Sequence, residues 1–158
     1  MSKAILTILA IDPGAHTGWA VRSANGGQSR YDSDVWENPH KDPKFVGSYL
    51  IAFRKCIADL MRKAQPNLVI MCLTFAKGWA GEKQTMCRGV VFEEATKRGV
   101  AHALKLPESS VKRYVAGSGN APKNAVIAAV NKRLGLSITD DNEADAVALL
   151  LYYIDQEA

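Results

Sequence analysis

From Leu6 to Ile11 five of six residues are apolar, most of them β-branched or aliphatic, the pattern of a strand buried on both faces. The run stops at Asp12, Pro13-Gly14 turns the chain, and Gly18-Trp19-Ala20-Val21 resumes an apolar stretch able to pair back as a hairpin. Gly26-Gly27 marks a turn, Ser29 to Trp36 a further strand, and residues 37 to 43 a loop rich in breakers. From Lys44 to Ala64, Val46, Leu50, Phe53, Ile57, Leu60 and Met61 recur at helical spacing, which predicts an amphipathic helix ending before Pro66. Asn67 to Met71 follows as a short apolar strand, parallel to the first because a helix has crossed over. Residues 74 to 83, with Gly78, Trp79 and Gly81, read as a loop, and Gln84 to Arg98 as a helix closed by Gly99.

Beyond Gly99 the pattern predicts a weak strand at Val100 to Leu106 and an edge segment or helix start at Ser110 to Tyr114. A GSGNAPK loop leads into a helix from Lys123 to Leu134, closed by Gly135, and a last helix covers about Asn142 to Ile154. Strands first and then strands alternating with helices define an α/β domain, a mixed central β-sheet flanked by helices. At 158 residues a single domain over residues 1–158 is expected.

Composition narrows the compartment and partner. The apolar run after Met1 ends in a carboxylate and has no small-residue cleavage site, so it reads as the first strand rather than a leader; no run is long enough to span a membrane. Three cysteines without paired-ligand spacing point to reduced thiols in a cytoplasmic setting and imply no zinc site. The net charge of +4 suits a polyanionic partner. Its clusters at Arg54 to Lys63, Lys77 to Arg88 and Lys112 to Arg133 are each also explained by a solvated helix face.

Two places carry candidate chemistry. A carboxylate at the end of a buried strand is expensive unless cations or donors compensate it. Asp12 therefore either opens an Asp-Pro-Gly turn, accepting hydrogen bonds from the following amides, or serves as a ligand. Asp140, Asp141, Glu143 and Asp145 crowd the start of the last helix, where the macrodipole and capping account for one or two of them. Asp145 stands apart, because it interrupts the apolar face of Val147, Ala148, Leu149 and Leu151 and can point toward the sheet. If Asp145 meets Asp12, their repulsion calls for a divalent cation, and oxygen-only ligands suit magnesium or manganese in phosphodiester hydrolysis.

IDPGAHTGWAV, VKRYVAGSGNAPKNAV and DDNEADAVALL, in this order and at these separations, resemble the RuvC family of Holliday junction resolvases, and most closely its phage-type members. The resemblance implies a ribonuclease-H-like fold, a homodimer, and magnesium-dependent nicking of four-way or other branched DNA in the cytoplasm or nucleoid of a bacterial host, with Mn2+ able to substitute. Residue by residue, it places the metal-binding aspartates on Asp12 and Asp145. A companion one turn earlier falls on Asn142, a departure that Glu143 or Asp141 could make good, with Glu143 favoured. It also places phosphate-proximal basic residues on Lys112 and Lys123, and junction-reaching residues on Phe75 and Lys77, with Trp79 as a further aromatic in the same segment.

The position where the family carries a glutamate, at the end of the central strand, falls on Cys72. A thiolate prefers softer metals, and the bland role of Cys72 is a small hydrophobe closing a strand. Natural or engineered inactivation, a ligand shifted to a residue such as Glu82, and a displaced motif stay open. So does a catalytically inactive branched-DNA-binding protein on the same fold. An actin-like phosphotransfer fold ranks below both, because the chain shows no second glycine-rich nucleotide loop.

Overall fold

The computed structural model describes residues 6–25, 28–73 and 76–156. Five strands, β1 (Ile8–Asp12), β2 (His16–Asn25), β3 (Gln28–Glu37), β4 (Leu68–Leu73) and β5 (Ala101–Pro107), form one sheet in the order β3-β2-β1-β4-β5. The β1-β2-β3 meander is antiparallel, whereas β4 and β5 run parallel to β1, as the intervening helices require. Helices α1 (Val46–Ala64) and α2 (Gly78–Lys97) cover one face, and α3 (Glu108–Ala116), α4 (Lys123–Leu134) and α5 (Asp141–Gln156) cover the other.

The strand period of two decides what each face receives. Leu9, Ile11, Val69 and Met71 pack with Phe53, Ile57 and Met61 of α1 and Val91 of α2. Ile8, Ala10, Leu68 and Ile70 pack with the Ala144 to Leu151 stretch of α5, and Cys72 lies against that cluster. Continuing the same alternation, Asp12 leaves β1 on the α5 face.

Three elements differ from the sequence expectation. The segment read as a loop to residue 83 is helical from Gly78, so α2 begins two turns early, and Gly81 fits there because a Cβ would lie 1.9 Å from the Ala76 carbonyl oxygen. The first helix is preceded by a 3-10 turn, Pro43–Phe45, with the Asp42 side chain accepting from the Lys44 amide. The Ser110 to Tyr114 segment is the middle of α3. Val90 and Val91 of α2 are buried in the core shared with α1. The expected Gly26-Gly27 turn lies outside the described residues. Among the described residues, no helix is long and apolar enough to cross a membrane.

Gly18 fixes where α5 begins. It stands opposite Asp12 in the β1-β2 ladder, and a Cβ built on it would lie 1.9 Å from the Asn142 carbonyl oxygen. Backbone cannot yield to such a clash without moving the helix. Gly18→Ala should therefore destabilise the protein by about 1–3 kcal/mol or more, measured by urea denaturation, while Gly47→Ala, where nothing lies within 4 Å, serves as the neutral control.

Candidate metal and nucleic-acid site

The turn after β1 is held without help from Asp12. The Thr17 hydroxyl donates to the Gly14 carbonyl at 3.0 Å, and the Asn38 amide donates to the Ala15 carbonyl at 2.7 Å. Both Thr17 and Asn38 are fully buried. The Asp12 carboxyl is thus left over from turn chemistry, which removes the bland reading of this residue.

Asp12 faces a cavity of about 300 Å³ shared with Cys72 from β4, Glu108 and Lys112 from α3, Lys123 from α4, and Asp141 and Asp145 from α5. Desolvation, then the neighbouring Asp145, Glu108 and Asp141 charges, push the Asp12 carboxyl up to about 8, with Lys112 acting weakly in the other direction. Asp145 is raised to about 6, again mainly by burial, with Lys112 opposing the shift. Neither carboxyl has a hydrogen bond or close ion pair among the described residues. Burial holds the Cys72 thiol well above its ordinary value, and the Asp12, Glu108 and Asp145 charges add to that, so the sulfur faces the cavity as a neutral thiol.

The two lysines are each engaged by an acid. Lys112 Nζ lies 2.7 Å from Glu108 Oε1, and this contact leads the rise in the lysine's affinity for its proton. Lys123 Nζ lies 2.7 Å from Asp141 Oδ2, which holds that carboxyl below the usual range. Lys123 is otherwise largely exposed, at the start of α4 beside the mouth of the cavity. A helix start also offers backbone amides to an anion.

Glu143 does not join this group. Positions 141 and 145 share one face of a helix, whereas 143 lies across it. Its Oε1 accepts from the Ser33 hydroxyl of β3 at 2.7 Å, and its side chain lines a separate cleft with Ser33 and Thr139. The structure therefore does not bring Glu143 together with Asp12 and Asp145, whereas Asp141 lines their cavity. Glu82, offered as a shifted ligand, is exposed on α2 and lies outside the cavity lining. Lys77 is exposed at the N-cap of α2, and Trp79 in the first turn is 40% exposed. Phe75 lies outside the described residues. His16 lines the cavity and sits 3.6 Å from Glu37. Glu108 was missed by sequence reading, since an acid after proline at a helix start signals only a favourable first turn.

Among the described residues, no three acid, histidine or cysteine side chains stand close enough to form a ready-made cage. The donor chemistry nevertheless fits a hard divalent cation, because two desolvated, unpaired carboxylates face one cavity with further oxygens at its rim.

A mixed sheet in this order, with helices on both faces and acids gathered where β1 meets α5, belongs to the ribonuclease-H-like fold class. The family model for "Crossover junction endodeoxyribonuclease RuvC" matches residues 8–153, and the chain belongs to that family. Curated proteins of that name from Bdellovibrio bacteriovorus and Brachyspira hyodysenteriae are 32% and 31% identical to it. The first alignment covers 94% of this chain and 89% of the relative, and the second covers 90% of each. Two structures share the fold at 24% identity. "Thermus thermophilus RuvC structure" has a TM-score of 0.74 over 95% of this chain and 96% of the other. "T. thermophilus RuvC in complex with Holliday junction substrate" has a TM-score of 0.75 over 94% and 93%.

The raised Asp12 carboxyl has a thermodynamic consequence. An acid with a folded-state value above its unfolded one gives stability that is complete below the unfolded value and is lost as pH rises through the folded one. For Asp12 that window runs from 3.8 to about 8. Asp12→Asn should thus raise the melting temperature of the metal-free protein at pH 8.5 by about 3 °C or more, and the gain should shrink toward pH 5. Calorimetry in EDTA at the two pH values measures it.

Proposed function

We propose that the chain is a structure-selective endonuclease that binds four-way and related branched DNA and nicks it by metal-dependent phosphodiester hydrolysis. The observation that carries this reading is the convergence of Asp12, Asp145 and two lysines on one cavity, in a chain matched by the resolvase family over nearly its whole length. Asp12 and Asp145, with Asp141 beside them, would hold magnesium, or manganese in its place. The ion would activate an attacking water and neutralise charge gathering on the phosphate.

The protein's own groups then have distinct tasks. Lys112 and Lys123 carry positive charge to the cavity and its rim, where each can leave its acid partner for a phosphate oxygen and stabilise the charge developing there. Lys77 and Trp79 offer, at the start of α2, a phosphate contact and a stacking surface. Phosphate contacts of this kind carry no base sequence, so discrimination rests on the shape of the DNA. Resolving a junction requires two cuts, and residues 1–158 acting as one nuclease domain supply them by pairing with a second copy. Light scattering of the free and junction-bound protein tests that homodimer.

The test of the main reading incubates purified protein with a labelled four-way junction, with magnesium or manganese, against a linear duplex. Preferential binding of the junction and metal-dependent nicking are expected, with Asp12→Asn and Asp145→Asn each lowering the nicking rate at least about a hundredfold. Equal affinity for both DNAs would overturn structure selectivity. One observation favours a second reading, a branched-DNA-binding protein that does not cut: the cavity position on β4 is a neutral thiol, a poor ligand for a hard cation. An inert parent that gains nicking on Cys72→Glu would establish that reading.

A further inference from the structure

The strand order leaves β3 at the end of the sheet, and among the described residues no strand pairs with its outer side. Register sets Ser33 beside Ala20 on the α5 face, where Tyr31 also packs, and sets Asp32 and Asp34 beside Val21 and Trp19 on the α1 face. The Val35 amide donates to the Asp34 carboxylate at 2.8 Å, a bond within the strand that stands where a ladder partner would be. In an antiparallel ladder the amide and carbonyl of one residue point the same way, and the direction reverses at each step. Tyr31 and Ser33 therefore also turn their backbone groups outward.

Both faces of this edge are hollow. A cleft of about 330 Å³ lies on the α5 face, between β3 and the connection from α4 to α5, lined by Leu136 and Ile138. A second, of about 490 Å³, lies on the α1 face beside Leu60 and Lys63. Asp32 and Ser33 line both, so the two clefts meet around the strand. The first has a one-sided chemistry. Its charged residues are Asp32 and Glu143, and no lysine, arginine or histidine stands among the described residues that line it, in a chain of net charge +4. Charged residues on an edge discourage unwanted pairing, which explains Asp32 and Asp34. That role does not explain Glu143, which comes from α5 and is held at the strand by the Ser33 hydroxyl at 2.7 Å. Apolar walls with carboxylates beside them match a side chain that has an aliphatic stem and a cationic head.

We propose that β3 is a docking edge for an extended basic segment of a partner protein. The segment adds a further strand through the outward backbone groups of Tyr31 and Ser33, and it places a lysine or arginine side chain in the cleft beside Asp32 and Glu143. Main-chain bonds then supply affinity, and alternate side chains supply the preference for a cation. Two carboxylates without a cation repel phosphate, which favours a peptide over nucleic acid here. The cleft shares no lining residue with the metal cavity, so the surface is separate from the nuclease site.

The probe is a fluorescein-labelled ten-residue peptide alternating threonine and lysine, titrated into the full-length protein in EDTA and followed by anisotropy. It should bind about tenfold or more tightly than its threonine and glutamate counterpart, and Glu143→Lys and Asp32→Lys should each weaken it by a similar factor. Asp32 is exposed on the edge, so its variant keeps the test open if the change on α5 disturbs folding. Methylating alternate peptide nitrogens should abolish binding in one phase and spare it in the other, because only one set of amides can face β3. In nitrogen-15 spectra the amide signals of Tyr31, Ser33 and Val35 should move, while those of Asp12 and Lys112 stay. Absence of binding, equal affinity for the glutamate peptide, equal effects of the two methylation patterns, or shifts confined to the metal cavity would each overturn the assignment.

Discussion

The missing side chain at residue 18 is the constraint on which the site depends. Helix α5 reaches the sheet through Asn142, whose carbonyl oxygen occupies the space that any Cβ on Gly18 would need. Because Gly18 is also the ladder partner of Asp12, one close approach sets both the height of the helix and its position over the end of β1. From there geometry does the rest. Asp141 and Asp145 follow on one face at a spacing of four, and the apolar residues from Ala146 to Leu151 pack against Ile8, Ala10, Leu68 and Ile70. A helix anchored by its hydrophobic half can hold its acidic half against the sheet despite the repulsion there.

That repulsion is organised rather than spread evenly. Four carboxylates and two lysines share the cavity, and each lysine is within 2.7 Å of one of the more exposed acids, Glu108 or Asp141. The two acids left over, Asp12 and Asp145, are also the ones that burial affects most. The acids without a cationic partner are therefore deep, where burial disfavours their ionisation, and the paired charge is at the rim. An incoming phosphodiester meets lysines first, and an incoming cation finds its strongest field beyond them.

The central sheet was readable because burial on both faces leaves a nearly unbroken apolar run, and Leu6 to Ile11 and Asn67 to Met71 have no other economical reading. The Asp12, Asp145, Lys112 and Lys123 grouping followed from three ordered segments that resemble one family, and the cavity brings those four together. Misreadings arose where local signals are ambiguous. Gly78 and Gly81 look like breakers, yet the helix begins at one and needs the absent side chain of the other. Glu143 is favoured by the resemblance of its NEADA segment, but a helix places residues two apart on different sides, and the spacing of four puts Asp141 rather than Glu143 beside Asp145 in the cavity. Glu108 left no distinctive sequence signal, because an acid that opens a helix after proline reads only as first-turn chemistry.

Cys72 then takes on a different meaning from a simple vacancy in a ligand set. As a neutral, half-buried thiol packed against the α5 core, it closes the end of β4 without adding charge to an already crowded space. A carboxylate at that position would be a further acid beside Asp12 and Asp145, and in the metal-free protein it would oppose the ionisation of both. With Glu108 lining the same cavity, a thiol at position 72 leaves four acids there against two lysines. The residue on β4 and the residue at the start of α3 are thus parts of one electrostatic solution, and neither is intelligible from its own segment alone.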